Sequence, residues 1–179
     1  MKKLSMQELN RVNVEEFKQL DKTPIIVVLD NIRSMNNIGS IFRTCDAFRV
    51  EALFLCGITA TPPNNEIRKT ALGATESVDW IYYNSTQEAI EELKINNYTI
   101  YAIEQAENSH KLDSFKIPTN NKIAIIMGNE VEGVQQEIIN QSNGCIEIPQ
   151  FGTKHSFNVS VTTGIVLWEF FNQFKNNSF

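Results

Sequence analysis

Asn37, Gly39 and Arg43 stand as Asn37-x-Gly39-x-x-x-Arg43 inside the stretch LDNIRSMNNIGSIFRTCDAF, residues 29–48. Neighbouring amides at Asn36 and Asn37, a glycine and a permanently charged guanidinium form a set that can bind and orient a polar ligand. Asparagine also caps helices, and the two roles can hold at once. Two later stretches share the design. Residues 123–134, IAIIMGNEVEGV, carry Gly128-Asn129-Glu130-x-x-Gly133, and residues 146–164, IEIPQFGTKHSFNVSVTTG, carry Pro149, Gly152 and then Ser156-Phe157-Asn158. None of the three is a familiar phosphate cradle, since neither G-x-G-x-x-G nor G-x-x-x-x-G-K-[ST] occurs, which disfavours a dinucleotide or ATP enzyme. A hydrolytic triad is equally unsupported: His110 lies in a polar stretch, His155 adjoins Lys154, and G-x-S-x-G is absent.

Each stretch follows a short apolar run that reads as a buried strand. Such runs recur at Ile25–Leu29, Ala52–Leu55, Val78–Tyr82, Thr99–Glu104, Ile123–Met127 and Cys145–Ile148, with helix-like segments at Ile38–Phe48, Thr86–Ile95, Val134–Gln141 and Val159–Phe174. Alternation of this kind predicts an α/β fold with a mostly parallel sheet flanked by helices. Loops that leave the carboxyl ends of neighbouring parallel strands converge, so the three stretches can line one crevice. Within Ile38–Phe48 the apolar rhythm is Ile38, Ile41, Cys45 and Phe48, and Arg43 shares the side of Ser40, so Arg43 is expected to face the crevice and not the core.

Residues 1–22 read as a short, mostly polar N-terminal helical extension ahead of a catalytic domain spanning 23–175. Thr61–Ala74, with Pro62 and Pro63, reads as a mobile surface loop leading into a short helix. The last helix has apolar residues on nearly every side, Val161, Ile165 and Trp168 on one, Val166 and Phe170 on another, Phe171 and Phe174 beyond. A helix of that kind is buried all round, either at the centre of a monomer's core or between its own sheet and a second copy, and a homodimer is expected.

The chain has 179 residues, enough to bury a core without disulfides or a structural metal. Three cysteines without C-x-x-C spacing, Cys45, Cys56 and Cys145, point to reduced thiols and no zinc site. No apolar run approaches the roughly 20 residues of a membrane span, and the charged N-terminus does not resemble a signal peptide, so a cytoplasmic protein with no membrane partner is expected. The net charge of −5 excludes nucleic-acid binding by bulk charge alone. Any RNA contact must be local, and the basic candidates are Arg33, Arg43, Arg49, Arg68, Lys69 and Lys154.

The three stretches, in this order and spacing, resemble the three motifs of the SpoU (TrmH) branch of the SPOUT methyltransferases over about residues 24–172. The third motif matches as Ile148-Pro149 and Ser156-x-Asn158-Val159-Ser160. The resemblance implies transfer of a methyl group from S-adenosylmethionine to a ribose 2′-hydroxyl of RNA, with tRNA guanosine favoured over rRNA. It also implies a C-terminal trefoil knot. No metal is implied. A silent RNA-binding module of the same fold, or a knotted enzyme acting on a base nitrogen, are the competing readings, and the second lacks the Asn37-to-Arg43 motif.

By the same resemblance Arg43, Asn37, Glu130, Ser156 and Asn158 are catalytic. Arg43 orients the hydroxyl and neighbouring phosphate, stabilises oxyanion charge and in the family account acts as base; Asn37 holds the ribose or its phosphate; Glu130 orients Arg43 or polarises a substrate group. Gly39 keeps the loop close to the RNA backbone. Ile103, Glu104, Gly128, Asn129, Gly133, Ile148, Pro149, Gly152, Phe157 and Asn158 form the cofactor site, largely through main-chain groups, with Gly128 letting the backbone approach the ligand. Arg33, Arg43, Arg68, Lys69 and Lys154 contact RNA. Phe157 departs from the leucine usual there. Many relatives carry an N-terminal RNA-binding domain, and here about 22 residues precede the first strand, which leaves recognition to the catalytic domain, its dimer and the short ends.

Overall fold

The computed structural model describes residues 1–5, 8–118 and 122–177. The run PIIVV, β-branched and apolar, forms the middle of β1 (Thr23–Asp30), whose residues from Ile26 to Asp30 lie against β2 (Val50–Cys56) on one side. On its other side lies β6 (Lys122–Met127). With β3 (Trp80–Tyr83), β4 (Tyr98–Ile103), β7 (Gly144–Glu147) and a two-residue β5 (His110–Lys111), these make one sheet in the order β3-β2-β1-β6-β4-β7-β5. Every pairing is parallel. Leu29 lies opposite Met127, Met127 opposite Ile103, and Ile103 opposite Ile146, so β1, β6, β4 and β7 run out at one level. The strand order reverses direction at β1–β6, which is where open α/β sheets leave a crevice.

Side chains alternate across β1, sending Ile25, Val27 and Leu29 into one core and Ile26 and Val28 into the other. Helix α2 (Met35–Ala47) covers the first face with Ile38, Ile41, Phe42 and Cys45, and α7 (Val159–Asn177) joins it with Val159, Val166, Leu167 and Phe170. The second face is covered by α5 (Thr86–Ile95) through Ala89, Ile90 and Leu93, and by α6 (Gln136–Gln141) through Ile138. Phe42 completes the buried side of α2, while Phe48 ends the helix half-buried and packs on Trp168 and Phe171 at ring distances of 6.1 and 5.4 Å.

Three segments differ from the sequence reading. The N-terminal helix is confined to α1 (Val14–Gln19), because the Asn13/Glu16 capping box starts a helix there and fixes its boundary; residues 6 and 7 lie outside the described residues. Residues 61–74 are not a free loop. They form α3 (Asn65–Ala71), capped by Asn64, followed by α4 (Ala74–Ser77), and α3 packs on α2 so closely that a Cβ on Gly39 would lie 2.2 Å from the Ile67 carbonyl oxygen. Lastly, α7 is not enclosed by its own chain. Thr163, Val166, Leu167 and Phe170 are buried, but Val161 is 49% and Trp168 58% exposed, which removes the central-helix reading.

Candidate active site

The role of Asn37 is set at the start of α2. Ser34, not Asn37, is the N-cap, its hydroxyl accepting the Asn37 N–H at 3.3 Å. The Asn37 side chain is therefore released from capping and turns to the other two motifs. Its amide donates to Glu130 Oε1 at 3.2 Å, and its carbonyl oxygen accepts from Asn158 Nδ2 at 3.1 Å. Glu130 also accepts the Arg33 and Ser34 main-chain N–H groups, both at 3.0 Å. A carboxylate thus sits at the N-terminus of α2, where the helix dipole and free amides favour it. Partial burial pushes the Glu130 pKa up, but the amides of Arg33, Ser34 and Glu130 itself and the Asn37 side chain outweigh it and hold the carboxyl below its ordinary value. Asn158 in turn caps α7, its Oδ1 accepting the Ser160 N–H at 2.9 Å and hydroxyl at 2.6 Å. Capping and bridging hold together at Asn158.

The result is a relay, Glu130–Asn37–Asn158–Ser160, that joins all three loops. Beside it an open cleft of about 1030 Å³ lies at the carboxyl ends of β4, β6 and β7. Ile103, Glu104, Gly128, Asn129, Glu130, Gly133, Ile148, Ser156, Phe157 and Asn158 line it. Pro149 and Gly152 do not. The charged side chains of the lining are Glu104, Glu107, Glu130, Glu132 and Glu147, with no lysine or arginine. Glu104 serves structure as well, accepting the Val134 N–H at 3.1 Å and the Gln105 N–H at 2.8 Å, and Glu147 accepts the Ser109 hydroxyl at 2.6 Å and pairs with Lys111. The cleft favours a cation and repels phosphate.

Arg43 lies elsewhere. It lines a shallow depression with Ser40, Thr44, Ala47, Phe48, Lys69 and Thr70, between α2 and α3. It does share the Ser40 side of the helix and avoids the core, but it does not face the cleft. Six residues beyond Asn37 amount to about 240° around the helix and about 9 Å along it, so one straight helix cannot aim both side chains at one point. Within the chain Glu130 is bonded to the amides of Arg33 and Ser34 and to Asn37, not to Arg43. Arg33 is exposed, with its main-chain N–H on Glu130, while Arg68 and Lys69 are exposed on α3, Lys69 paired with Glu66 at 2.6 Å. Lys154 is exposed in the loop after β7.

Two glycines act differently from expectation. A Cβ on Gly39 would meet Thr70 Oγ1 at 2.1 Å and the Ile67 carbonyl at 2.2 Å, so its bareness is required by the α2–α3 contact. A Cβ on Gly128 would meet the Val134 nitrogen at 2.2 Å and the Gly133 carbonyl carbon at 2.3 Å, so this glycine lets the 128–134 loop fold back on itself.

Two supporting residues escaped the sequence reading. Asp30, fully buried at the end of β1, accepts the Thr86 hydroxyl at 2.6 Å and the Asn31 and Gln135 side-chain amides, each at 2.9 Å. It ties the starts of α5 and α6 to the strand below the relay. An acid directly ending an all-apolar strand was the available signal. Gln105 donates to the His155 carbonyl oxygen at 2.5 Å, spanning from the end of β4 to the loop after β7. Only proximity in space reveals that bond. The cysteines are buried, and desolvation lifts the thiol pKa of each, that of Cys56 to about 12, which favours the neutral thiol over the thiolate. Among the described residues no group of His, Cys, Asp and Glu could hold a metal, and no helix is long and apolar enough to cross a membrane.

Comparison with known proteins bears on the whole arrangement. A 23S rRNA (guanosine-2′-O-)-methyltransferase of Neisseria meningitidis is 32% identical over 161 residues, 89% of this chain and 63% of that protein. A tRNA (guanosine(18)-2′-O)-methyltransferase of Thermus thermophilus is 31% identical over 166 residues, 90% of this chain and 81% of that protein. The AdoMet-bound rRNA methyltransferase from Sinorhizobium meliloti superposes with a TM-score of 0.78 at 26% identity, over 86% of this chain and 59% of that one. The chain therefore spans less than two thirds of the Neisseria and Sinorhizobium proteins. The model of the SpoU rRNA Methylase family matches residues 24–168, from the start of β1 through Trp168 of α7, and so takes in all three loops of the relay: the chain belongs to the SpoU rRNA Methylase family.

Proposed function

We propose that the chain methylates a ribose 2′-hydroxyl of RNA, with tRNA guanosine as the favoured substrate, as a homodimer. The observation that carries this reading is the relay joining Glu130, Asn37 and Asn158 beside a cleft whose charged lining is wholly acidic. The cleft fits S-adenosylmethionine: acidic groups suit its sulfonium and ammonium, and Ile103, Met127, Ile148 and Phe157 offer apolar surface to an adenine ring. Main-chain groups of residues 128–134 and 148–158, with Ile103 and Glu104, would hold it. Bound there, S-adenosylmethionine would supply a methyl group on a sulfonium; as the ribose 2′-oxygen bonds the methyl carbon the C–S bond would break to leave a neutral thioether, and the hydroxyl proton would pass to solvent at the open cleft.

The chain's own residues do the rest. Asn37 and Asn158 present amides at the junction of the three loops and fix one another, so a ribose there meets prearranged donors and acceptors. Glu130, committed to the amides of Arg33 and Ser34, holds the loop and not the proton. Arg43 supplies fixed positive charge for the phosphate and the developing oxyanion. Since it faces away from the cleft of its own chain, the arginine that completes a site is that of a second copy. Support comes from its neighbours: Phe48 borders the same depression and packs on Trp168 and Phe171, and exposed Val161 and Trp168 flank Gly164, beside which a Cβ would meet nothing within 4 Å. An apolar face with a bare glycine at its middle suits close approach of another helix. The trefoil knot belongs to the same reading, supported by the insertion of β7 between β4 and β5.

The Thermus relative, matched over most of its length, favours tRNA over rRNA. Incubation with methyl-labelled S-adenosylmethionine and total RNA lacking modifications, followed by mapping of the label, tests the proposal. A labelled ribose in a tRNA is the expected result; label on a base, or no transfer by a chain that binds the cofactor, would overturn it.

A further inference from the structure

Phe151 is 97% exposed, more than any other aromatic side chain among the described residues, and it makes no ring contact there. It sits in a run, 151–158, in which every residue is exposed. That run borders the cleft: Gln150 just before it and His155, Ser156 and Phe157 at its far end are lining residues. The Gln105–His155 bond at 2.5 Å anchors its far end, and Pro149 its beginning, so the ring is carried at a defined place on the rim. Lys154 adds the positive charge that the cleft itself lacks.

We infer that Phe151 is a stacking platform for an unpaired RNA base beside the ribose that enters the cleft, with Lys154 on the adjoining phosphate. This rests on the RNA methyltransferase reading and adds to it the residue that selects a single-stranded target. A 2′-hydroxyl in a regular duplex lies in the shallow groove with its base stacked and paired, whereas loops and ends can splay a base onto an aromatic ring. An aromatic face accepts any base and a neighbouring cation tracks the backbone, which is the pairing of contacts that single-strand binders use. The cleft's own lining has no lysine or arginine, so a cation on its rim complements it.

The test uses the full chain with Phe151→Ala, Phe151→Leu and Phe151→Trp, assayed on total RNA lacking modifications with labelled S-adenosylmethionine. Alanine and leucine are expected to raise the RNA KM about tenfold, with cofactor affinity and the light-scattering mass unchanged, and tryptophan to restore it. Leucine restoring KM as well as tryptophan would replace stacking by plain apolar packing and overturn the inference. So would an unchanged KM in all three, or a change of oligomeric state in the alanine variant, which would seat the ring on a second copy. A wild type that binds the cofactor and methylates no RNA would overturn the underlying methyltransferase reading instead, so the two failures are told apart by the wild-type control.

Discussion

The cleft over β4, β6 and β7 and the depression between α2 and α3 share no lining residue and differ in charge, in depth and in what closes them. The cleft is acidic, its walls are tied together by hydrogen bonds within the chain, and it borders the relay of Glu130, Asn37 and Asn158. The depression is shallow and basic, with Arg43 and Lys69, and adjoins exposed apolar side chains of α7. One half of the proposed site is finished by folding, and the other waits for a second chain and for RNA. That division accounts for a net charge of −5 in a protein assigned to a polyanion. Five glutamates line the proposed cofactor cleft, and the cations proposed to face RNA need only be few and local.

Breaking the unfinished half has the largest expected effect. Trp168→Glu places a charge in the proposed dry interface at a cost of several kcal/mol, so light scattering should find a monomer that still binds S-adenosylmethionine by calorimetry but transfers no methyl group. Next, Arg43→Ala should keep the dimer and its cofactor affinity and lose at least about a hundredfold in turnover, roughly 3 kcal/mol of barrier, with Arg43→Lys nearly as poor because an ammonium lacks the planar fork. Gly39→Ala drives a methyl into the Ile67 carbonyl and Thr70 and should cost about 1–3 kcal/mol of stability, read as a lower urea midpoint, without any specific loss of RNA affinity. The smallest effect sharpens the finished half. Glu130 has a folded-state pKa below its unfolded one, so it contributes stability at pH above the ordinary carboxylate value of 4.5 and loses that contribution as pH falls through the lowered value. Glu130→Gln should lower the urea midpoint near neutral pH and remove that part of the acid dependence, so that the two proteins converge in acid.

How much of this was legible in the sequence varies with the range of the interaction. Short apolar runs located six of the seven strands; in β1, β4 and β6, buried on both faces over most of their length, the signal is nearly uninterrupted, while the partly exposed β3 was marked by its aromatic residues. The two-residue β5 has no such run. The loop of residues 61–74 leads into a short helix as the proline pair suggested, but α3 begins as early as Asn65 because Asn64 caps it there. The three motifs named the residues of the relay, but spacing could not say which asparagine caps and which bridges. Ser34 decides that, and it does so through a single hydroxyl. The direction of Arg43 was misread because its side was judged against the core residues of α2 and not against Asn37, which lies most of a half-turn away. Asp30 and Gln105 act through partners 56, 105 and 50 residues distant, which no local pattern displays.

The division between the two halves can be tested in a single experiment with two inactive variants. Gly128→Val displaces the Gly133–Val134 backbone and should abolish cofactor binding, while Arg43→Ala leaves the cleft intact and removes the arginine. Co-expressed, the two chains should form mixed dimers in which one site carries both defects and the other carries none. The account predicts that the co-expressed pair regains about a quarter of the wild-type methyl-transfer rate, as random pairing in a two-fold dimer requires. A mixture as inactive as its separate parts, with mixed dimers present, would show that each arginine serves the cleft of its own chain and would contradict the account.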